Sequence, residues 1–229
     1  MRKYLSLFLV TIFFTGIAFV WWKRLMPEAV FIPENNPVLF SEKESLSSST
    51  SPASSSEPAP IDDGFYLPLD RANERVTKKP FGIYINSKNS PVQPERFSGF
   101  HTGTDFEIFP EELNSPVEVR AVCDGELILK KTATGYGGVV VQSCTFDSQP
   151  VTVVYGHLKL SSVAENIGEE LKAGDALGQL GADNSAETDG ERKHLHLGIH
   201  QGVRVNLLGY VQTEKELAGW IDPCQYVCW

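Results

Sequence analysis

Lys193-His-Leu-His-Leu-Gly-Ile-His200 decides how the later part of this 229-residue chain folds. Leu195, Leu197 and Ile199 alternate there with His194, His196 and His200, and successive side chains of a strand point to opposite faces. The stretch therefore reads as a β-strand that sends its aliphatic residues into a core and gathers its histidines on the other face. His194 and His196 are placed for one site. His200 shares their parity but lies further along, and it reads as an ordinary strand-end residue.

Working outward, similar runs recur at residues 81–85, 117–122, 126–129, 139–142, 151–155 and 176–180, separated by glycine-rich turns. Long amphipathic helical patterns are scarce, and residues 160–164 and 213–217 are the short helical candidates. Several short strands punctuated by turn signals indicate an all-β, antiparallel domain. Residues 64–229 are enough for one such domain with a core of its own. No internal repeat is evident.

Two more segments bring histidines with them: His101-Thr-Gly-Thr-Asp105 and Tyr155-Gly-His157. Histidine and aspartate are zinc ligands, and a catalytic zinc needs three protein ligands and one open position. His101, Asp105 and one member of the His-x-His pair make three, leaving the other histidines for acid/base work or charge stabilisation. Thr-Gly-Thr disfavours a helix across 101–105. A loop bending at Gly103 and running into a strand would instead bring both side chains to one ion. No His-Glu-x-x-His occurs, which excludes that helical zinc motif. A lone His-x-His is more often an ordinary surface or core pair; three such segments together favour a metal. Asp175 reads as the cap of the Gly174-Asp175 turn, and Asp189-Gly190 as a turn dipeptide.

Taken in order, the segments resemble the LytM/lysostaphin-type zinc endopeptidases of peptidase family M23, which cleave peptide bonds in bacterial cell-wall peptidoglycan. The resemblance covers about residues 78–223. It runs through Lys79-Pro-Phe-Gly82, His101-x-Gly-x-Asp105, Ala121-x-x-Asp-Gly125, Val153-Val-Tyr-Gly-His-Leu158, Leu171-x-x-Gly-Asp-x-x-Gly-x-x-Gly181 and His194-Leu-His-Leu197. It implies a LytM-like antiparallel sheet flooring a groove, with one Zn2+ per chain at its base. His101, Asp105 and His196 fall on the family's ligands, and His157 and His194 on its catalytic histidines. Zinc in such a site lowers the pKa of water toward about 7 and polarises the scissile carbonyl. The implied activity is a zinc metalloendopeptidase acting on peptidoglycan cross-links or stem peptides. Where the family usually runs a Ser/Thr-Gly-Pro-type turn into His-x-His, this chain has Glu187-Thr-Asp-Gly-Glu-Arg-Lys193, a charged approach that bears on substrate preference. Degenerate members lose ligands and serve as amidase activators. Here every position is filled, which favours an enzyme; the alternative is a non-hydrolytic peptidoglycan-binding or amidase-activating module that keeps a structural zinc.

The beginning of the chain bears on location. Arg2 and Lys3 precede an uncharged apolar span, residues 4–22, followed by Lys23 and Arg24. That is about the length of a membrane-crossing helix, with Trp21 and Trp22 as an interfacial anchor. Residues 1–26 are therefore expected to be a transmembrane anchor, with a cleaved signal peptide as the competing reading. Residues 27–63 form a Ser/Pro-rich segment with seven acids against one lysine, a composition unable to bury enough apolar surface to order itself, and they read as a flexible tether. Cys123, Cys144, Cys224 and Cys228 form an even set beyond the span. If Lys130 pairs with Gly137 across a turn, Cys123 falls opposite Cys144; Cys224 and Cys228 would then join each other. Disulfides belong to oxidising compartments, so the domain is expected outside the cytoplasmic membrane, anchored by a single pass or secreted after cleavage. Four reduced thiols are the bland reading, and a four-cysteine zinc site lacks the usual close spacing. The net charge of −9 argues against nucleic acid, which requires a basic footprint. Peptidoglycan peptides and, through the N-terminal helix, the membrane are the expected partners; no feature of the sequence sets an oligomeric state.

Overall fold

The computed structural model describes residues 64–228. The expected anchor and tether, residues 1–26 and 27–63, lie outside the described residues. Among the described residues no helix is long and apolar enough to cross a membrane.

Among the described residues twelve strands follow one another: β1 (Tyr84–Ile85), β2 (Gly99–His101), β3 (Gly103–Glu107), β4 (Glu118–Arg120), β5 (Gly125–Ala133), β6 (Gly137–Phe146), β7 (Gln149–Gly156), β8 (Glu170–Leu171), β9 (Ala176–Gln179), β10 (His194–Gln201), β11 (Tyr210–Val211) and β12 (Trp220–Ile221). The helices among the described residues are single turns, α1 (Ala72–Arg75) and α2 (Glu214–Leu217). Thr213 caps α2: its hydroxyl accepts from the Glu216 amide at 3.2 Å while the Glu216 carboxylate accepts from the Thr213 amide at 3.0 Å. Residues 160–164, expected to be helical, contribute one 3-10 turn, Leu160–Ser162.

The main sheet is antiparallel, in the order β12-β10-β7-β6-β5-β8, with β3 also pairing β10. β10 is thus flanked along its first half by β3 on one side and β7 on the other. Leu195, Leu197 and Ile199 are fully buried in the main core, as their alternation requires. The run Val139-Val-Val141 is also wholly buried, because both faces of β6 are covered: Val140 joins the main core, while Val139 and Val141 pack with Tyr136 and Val154 in a second cluster. Continuous rather than alternating apolar character is what two-sided burial produces.

The β5–β6 register differs from expectation. Ala133, not Lys130, pairs with Gly137, so the hairpin loop is residues 134–136 and both strands are longer than their apolar runs. Gly137 explains the tight closure. It sits at φ +65, and a Cβ there would lie 2.1 Å from the Glu187 carbonyl. Cys144 is opposite Val151 of β7, and Cys123 precedes β5. The two cysteines are nevertheless joined, as are Cys224 and Cys228, with Cα separations of 6.2 and 4.5 Å. A buried polar network brings Cys123 into reach. The Gln142 amide donates to the carbonyls of Cys123 at 2.8 Å and Gly125 at 3.1 Å. The Tyr155 hydroxyl donates to Gln142 at 2.9 Å and accepts from the Val122 amide at 2.9 Å. These bonds satisfy backbone groups that would otherwise be buried without partners.

Candidate metal centre and cleft

Three elements converge at the head of the main sheet. β10 supplies His194 and His196 on its outer face; β3 runs beside it with Asp105 directly opposite His196; β2 ends on His101. The chain turns between β2 and β3 at Thr102 rather than at the expected Gly103. Thr102 is fastened by its amide to the Gly209 carbonyl at 3.1 Å and by its hydroxyl to the Leu208 carbonyl at 2.6 Å. Gly103 is already in the strand, and its role is space. A Cβ there would sit 2.5 Å from the Leu197 carbonyl and 2.7 Å from His196 Nε2.

The resulting triangle is compact. His101 Nε2 lies 3.0 Å from His196 Nδ1, and Asp105 Oδ1 lies 3.2 Å from each of them. All three residues are buried, and they form a group of potential metal ligands among the described residues. Each ring also has an outer neighbour. His101 Nδ1 donates to the Pro80 carbonyl at 3.3 Å, since a carbonyl only accepts. His196 Nε2 faces the Tyr136 hydroxyl at 3.4 Å. Burial pushes the His196 imidazolium down to about 4, outweighing Asp105, so the ring is neutral at ordinary pH. Burial also keeps the Tyr136 phenol protonated. Two ring nitrogens and a carboxylate oxygen therefore meet at one spot, an arrangement that a cation completes. A tetrahedral zinc with bonds of about 2.0–2.1 Å separates its ligands by roughly 3.3 Å, close to the triangle's edges. The donor set and size fit zinc.

His194 and His157 stand beside the triangle, their ring centroids 4.3 Å apart. His194 Nδ1 donates to the Arg192 carbonyl at 2.8 Å, and its Nε2 lies 3.2 Å from Asp105 Oδ2. His157 follows the end of β7 at φ +63. Its Nδ1 is buried without a hydrogen-bond partner. Burial and then the neighbouring His194 hold its pKa well below the usual histidine value, against the pull of Asp105, so His157 is a neutral ring. All four histidines and Asp105 thus meet in one place, whereas His200 packs on Trp220 at 4.8 Å, further along β10.

A cleft of about 320 Å³ opens over this cluster, walled by the hairpin loop 134–136, by Phe97 and by residues 207–210. Phe97 stacks on Tyr210 at 5.4 Å. Arg96 beside it reaches Glu191 at 2.9 Å and the Asp189 carbonyl at 2.8 Å. Asp189 does more than shape a turn, because its Oδ2 accepts from the Gly135 amide at 2.8 Å. Asp175, by contrast, does cap its turn, accepting from the Lys172 amide at 2.7 Å. Lys79 is buried at the cleft wall, donating to Glu95 at 2.6 Å and to Tyr210 Oη at 3.2 Å. Burial raises the Glu95 pKa, but Lys79, the Ser90 hydroxyl and the Phe97 amide together bring it below its ordinary value.

Several of these residues are invisible to sequence reasoning. Arg192 is the clearest. Its Nη2 donates to Asp105 Oδ2 at 2.8 Å, and its Nε donates to both oxygens of Glu107 at 3.0 and 2.9 Å. Lys193 donates to the carbonyls of Glu112 at 2.9 Å and Ser115 at 2.6 Å. In the sequence both belong to a charged run that reads as bearing on substrate preference; only the register of β10 against β3 turns them inward.

Residues 99–207 match the family model for peptidase family M23. Solved structures with similar chains include the catalytic domain of the antimicrobial peptidase lysostaphin from Staphylococcus simulans, at 18% identity over 68% of this chain and 93% of that one, with a TM-score of 0.46. Others are cbpa from L. salivarius REN, at 22% identity over 72% and 95% with a TM-score of 0.47, and LytU, at 21% over 65% and 81% with a TM-score of 0.44. No curated protein matches the chain.

Proposed function

The chain belongs to peptidase family M23 through residues 99–207, and we propose on that premise that it is a zinc-dependent endopeptidase of cell-wall peptidoglycan. The observation that carries this reading is the convergence of His101, Asp105 and His196 on one spot, with two further histidines beside it. His101 Nε2, Asp105 Oδ1 and His196 Nδ1 would hold the ion. A zinc bound there supplies Lewis acidity for a scissile carbonyl and for water.

The chain's own groups do the rest. His194 has its Nδ1–H committed to the Arg192 carbonyl, so Nε2 is the atom that receives a proton, with Asp105 Oδ2 beside it to stabilise the resulting charge. A base fixed in one tautomer and one orientation is what general-base work requires. His157 is neutral and has an unpartnered Nδ1, and it is free to hydrogen-bond the substrate oxygen on which charge develops. The cleft over the histidines takes an extended peptide, with Phe97 and Leu207 offering apolar contact.

Residues 64–229 act as the catalytic domain, residues 27–63 as a tether and residues 1–26 as an anchor or signal. The two disulfides favour an oxidising compartment, and with it an extracytoplasmic domain that works on the wall. Purified peptidoglycan incubated with the protein should release peptide fragments with new termini, seen by mass spectrometry, and a zinc chelator should stop the release. Intact peptidoglycan in the presence of folded, zinc-loaded protein would replace this reading with a non-hydrolytic wall-binding or amidase-activating module.

A further inference from the structure

We propose that Arg192 is a positioning residue of the metal centre, one that confines Asp105 to ligation through a single oxygen. The inference rests on the metal reading above and extends it to a residue outside the ligand set. The two oxygens of Asp105 are divided between different neighbours. Oδ1 belongs to the triangle, 3.2 Å from His101 Nε2 and 3.2 Å from His196 Nδ1. Oδ2 faces away from it, 2.8 Å from Arg192 Nη2 and 3.2 Å from His194 Nε2. Turning the carboxylate so that both oxygens reached the triangle would break both contacts.

The guanidinium is well seated for this task. Its Nε donates to both oxygens of Glu107 at 3.0 and 2.9 Å, and Nη2 also donates to Glu107 Oε1. Glu107 lies two residues beyond Asp105 on β3, on the same face of the strand, and Lys78 holds it from the other side at 3.1 Å. One planar fork thus spans two carboxylates, which a lysine, a point charge on a flexible stem, does not do. The Arg192 side chain is only 14% exposed, and charge-assisted hydrogen bonds in such surroundings are among the strong ones. Lys193 cannot stand in, because its ammonium is engaged by backbone carbonyls.

The consequence for chemistry is a matter of coordination number. A catalytic zinc site keeps one position open beside three protein ligands. A second oxygen from Asp105 would compete for that position; Arg192 withholds it. The same residue sets the neighbouring base, since its carbonyl receives the His194 Nδ1–H at 2.8 Å. The charged approach to β10 thereby acquires a role in the centre itself, with its side chain on a ligand and its backbone on His194.

The test uses the full chain loaded with cobalt(II) in place of zinc, reading visible absorption together with affinity by chelator competition. Arg192→Lys keeps the charge and loses the fork. It should bind metal roughly 10–100-fold more weakly, as loss of an outer-shell partner does, and lose the absorption intensity that marks four-coordination. Glu107→Gln, which loosens the seat of the guanidinium, should move the spectrum the same way if Arg192→Lys folds poorly. Arg96→Lys disturbs the same loop through Asp189 and Glu191 but touches no ligand, and should keep the wild-type spectrum. A wild-type spectrum and affinity in both Arg192→Lys and Glu107→Gln would overturn the inference, as would an equal spectral change in Arg96→Lys. A wild-type protein that binds no metal would overturn the metal reading itself, and with it this inference.

Discussion

Gly103 sits opposite Gly198 in the β3–β10 ladder, with the edge of the His196 ring where its side chain would be. Nothing in its backbone requires glycine; the approach of a ligand does. Gly103→Ala should therefore push His196 or β3 aside, costing about 1–3 kcal/mol of stability as an overpacked site does and weakening metal binding as well. Thermal unfolding and metal competition on the same variant check both. Wild-type metal affinity in a folded Gly103→Ala protein would show that the ring has room to move. The sequence points to the His-x-x-x-Asp pair, but not to the reason for the glycine inside it. The reason lies across the sheet, 93 residues away in His196 and next to it in the Leu197 carbonyl, and no local spacing reports it.

At the scale of elements, legibility followed burial. β10 is readable because one of its faces is core and the other carries the histidines, so its residues alternate. β3 is buried at all five positions while containing Thr104, Asp105 and Glu107, and a fully buried strand with polar residues shows neither alternation nor an apolar run. β2, three residues long, is too short for any period. The β5–β6 register was misplaced because Lys131 and Thr132 continue the strand beyond the apolar stretch, and backbone pairing rather than side-chain character carries it there. The stretch from 95 to 98 is held across the cleft by contacts of the same hidden kind, with the Lys79–Glu95 pair as its anchor. Since the Glu95 pKa is lowered in the folded state, the pair's contribution is fully present above the unfolded carboxyl value of about 4.3. It is lost as pH falls through the folded value. Unfolding free energies of wild type and Glu95→Gln, measured against pH, should differ at neutrality and converge in acid. A difference that stays constant through that range would contradict the assignment.

For the whole molecule, the question is whether the metal serves chemistry or architecture. The main core contains Leu195, Leu197, Tyr155, Phe106 and many other fully buried side chains, and each large aliphatic one contributes about 1.5–3 kcal/mol by burial. Two disulfides add to this, the 21-residue separation of the first being worth roughly 3 kcal/mol. The ligand triangle, by contrast, involves a few residues at one end of the sheet. Chelation should therefore lower stability by only the binding term, about 2.7 kcal/mol when free metal is 100-fold above its Kd, and leave the domain folded. Circular dichroism and thermal melts with and without chelator measure it. Complete unfolding on chelation would make the ion structural and favour the non-hydrolytic module.

Zinc content measured side by side in wild type, His196→Ala and His194→Ala tests the division of labour among the histidines. One zinc per chain is expected in wild type, none in His196→Ala, and one in His194→Ala, whose peptidoglycan hydrolysis is nevertheless abolished. Equal loss of zinc in the two variants, or retention in His196→Ala, would contradict it.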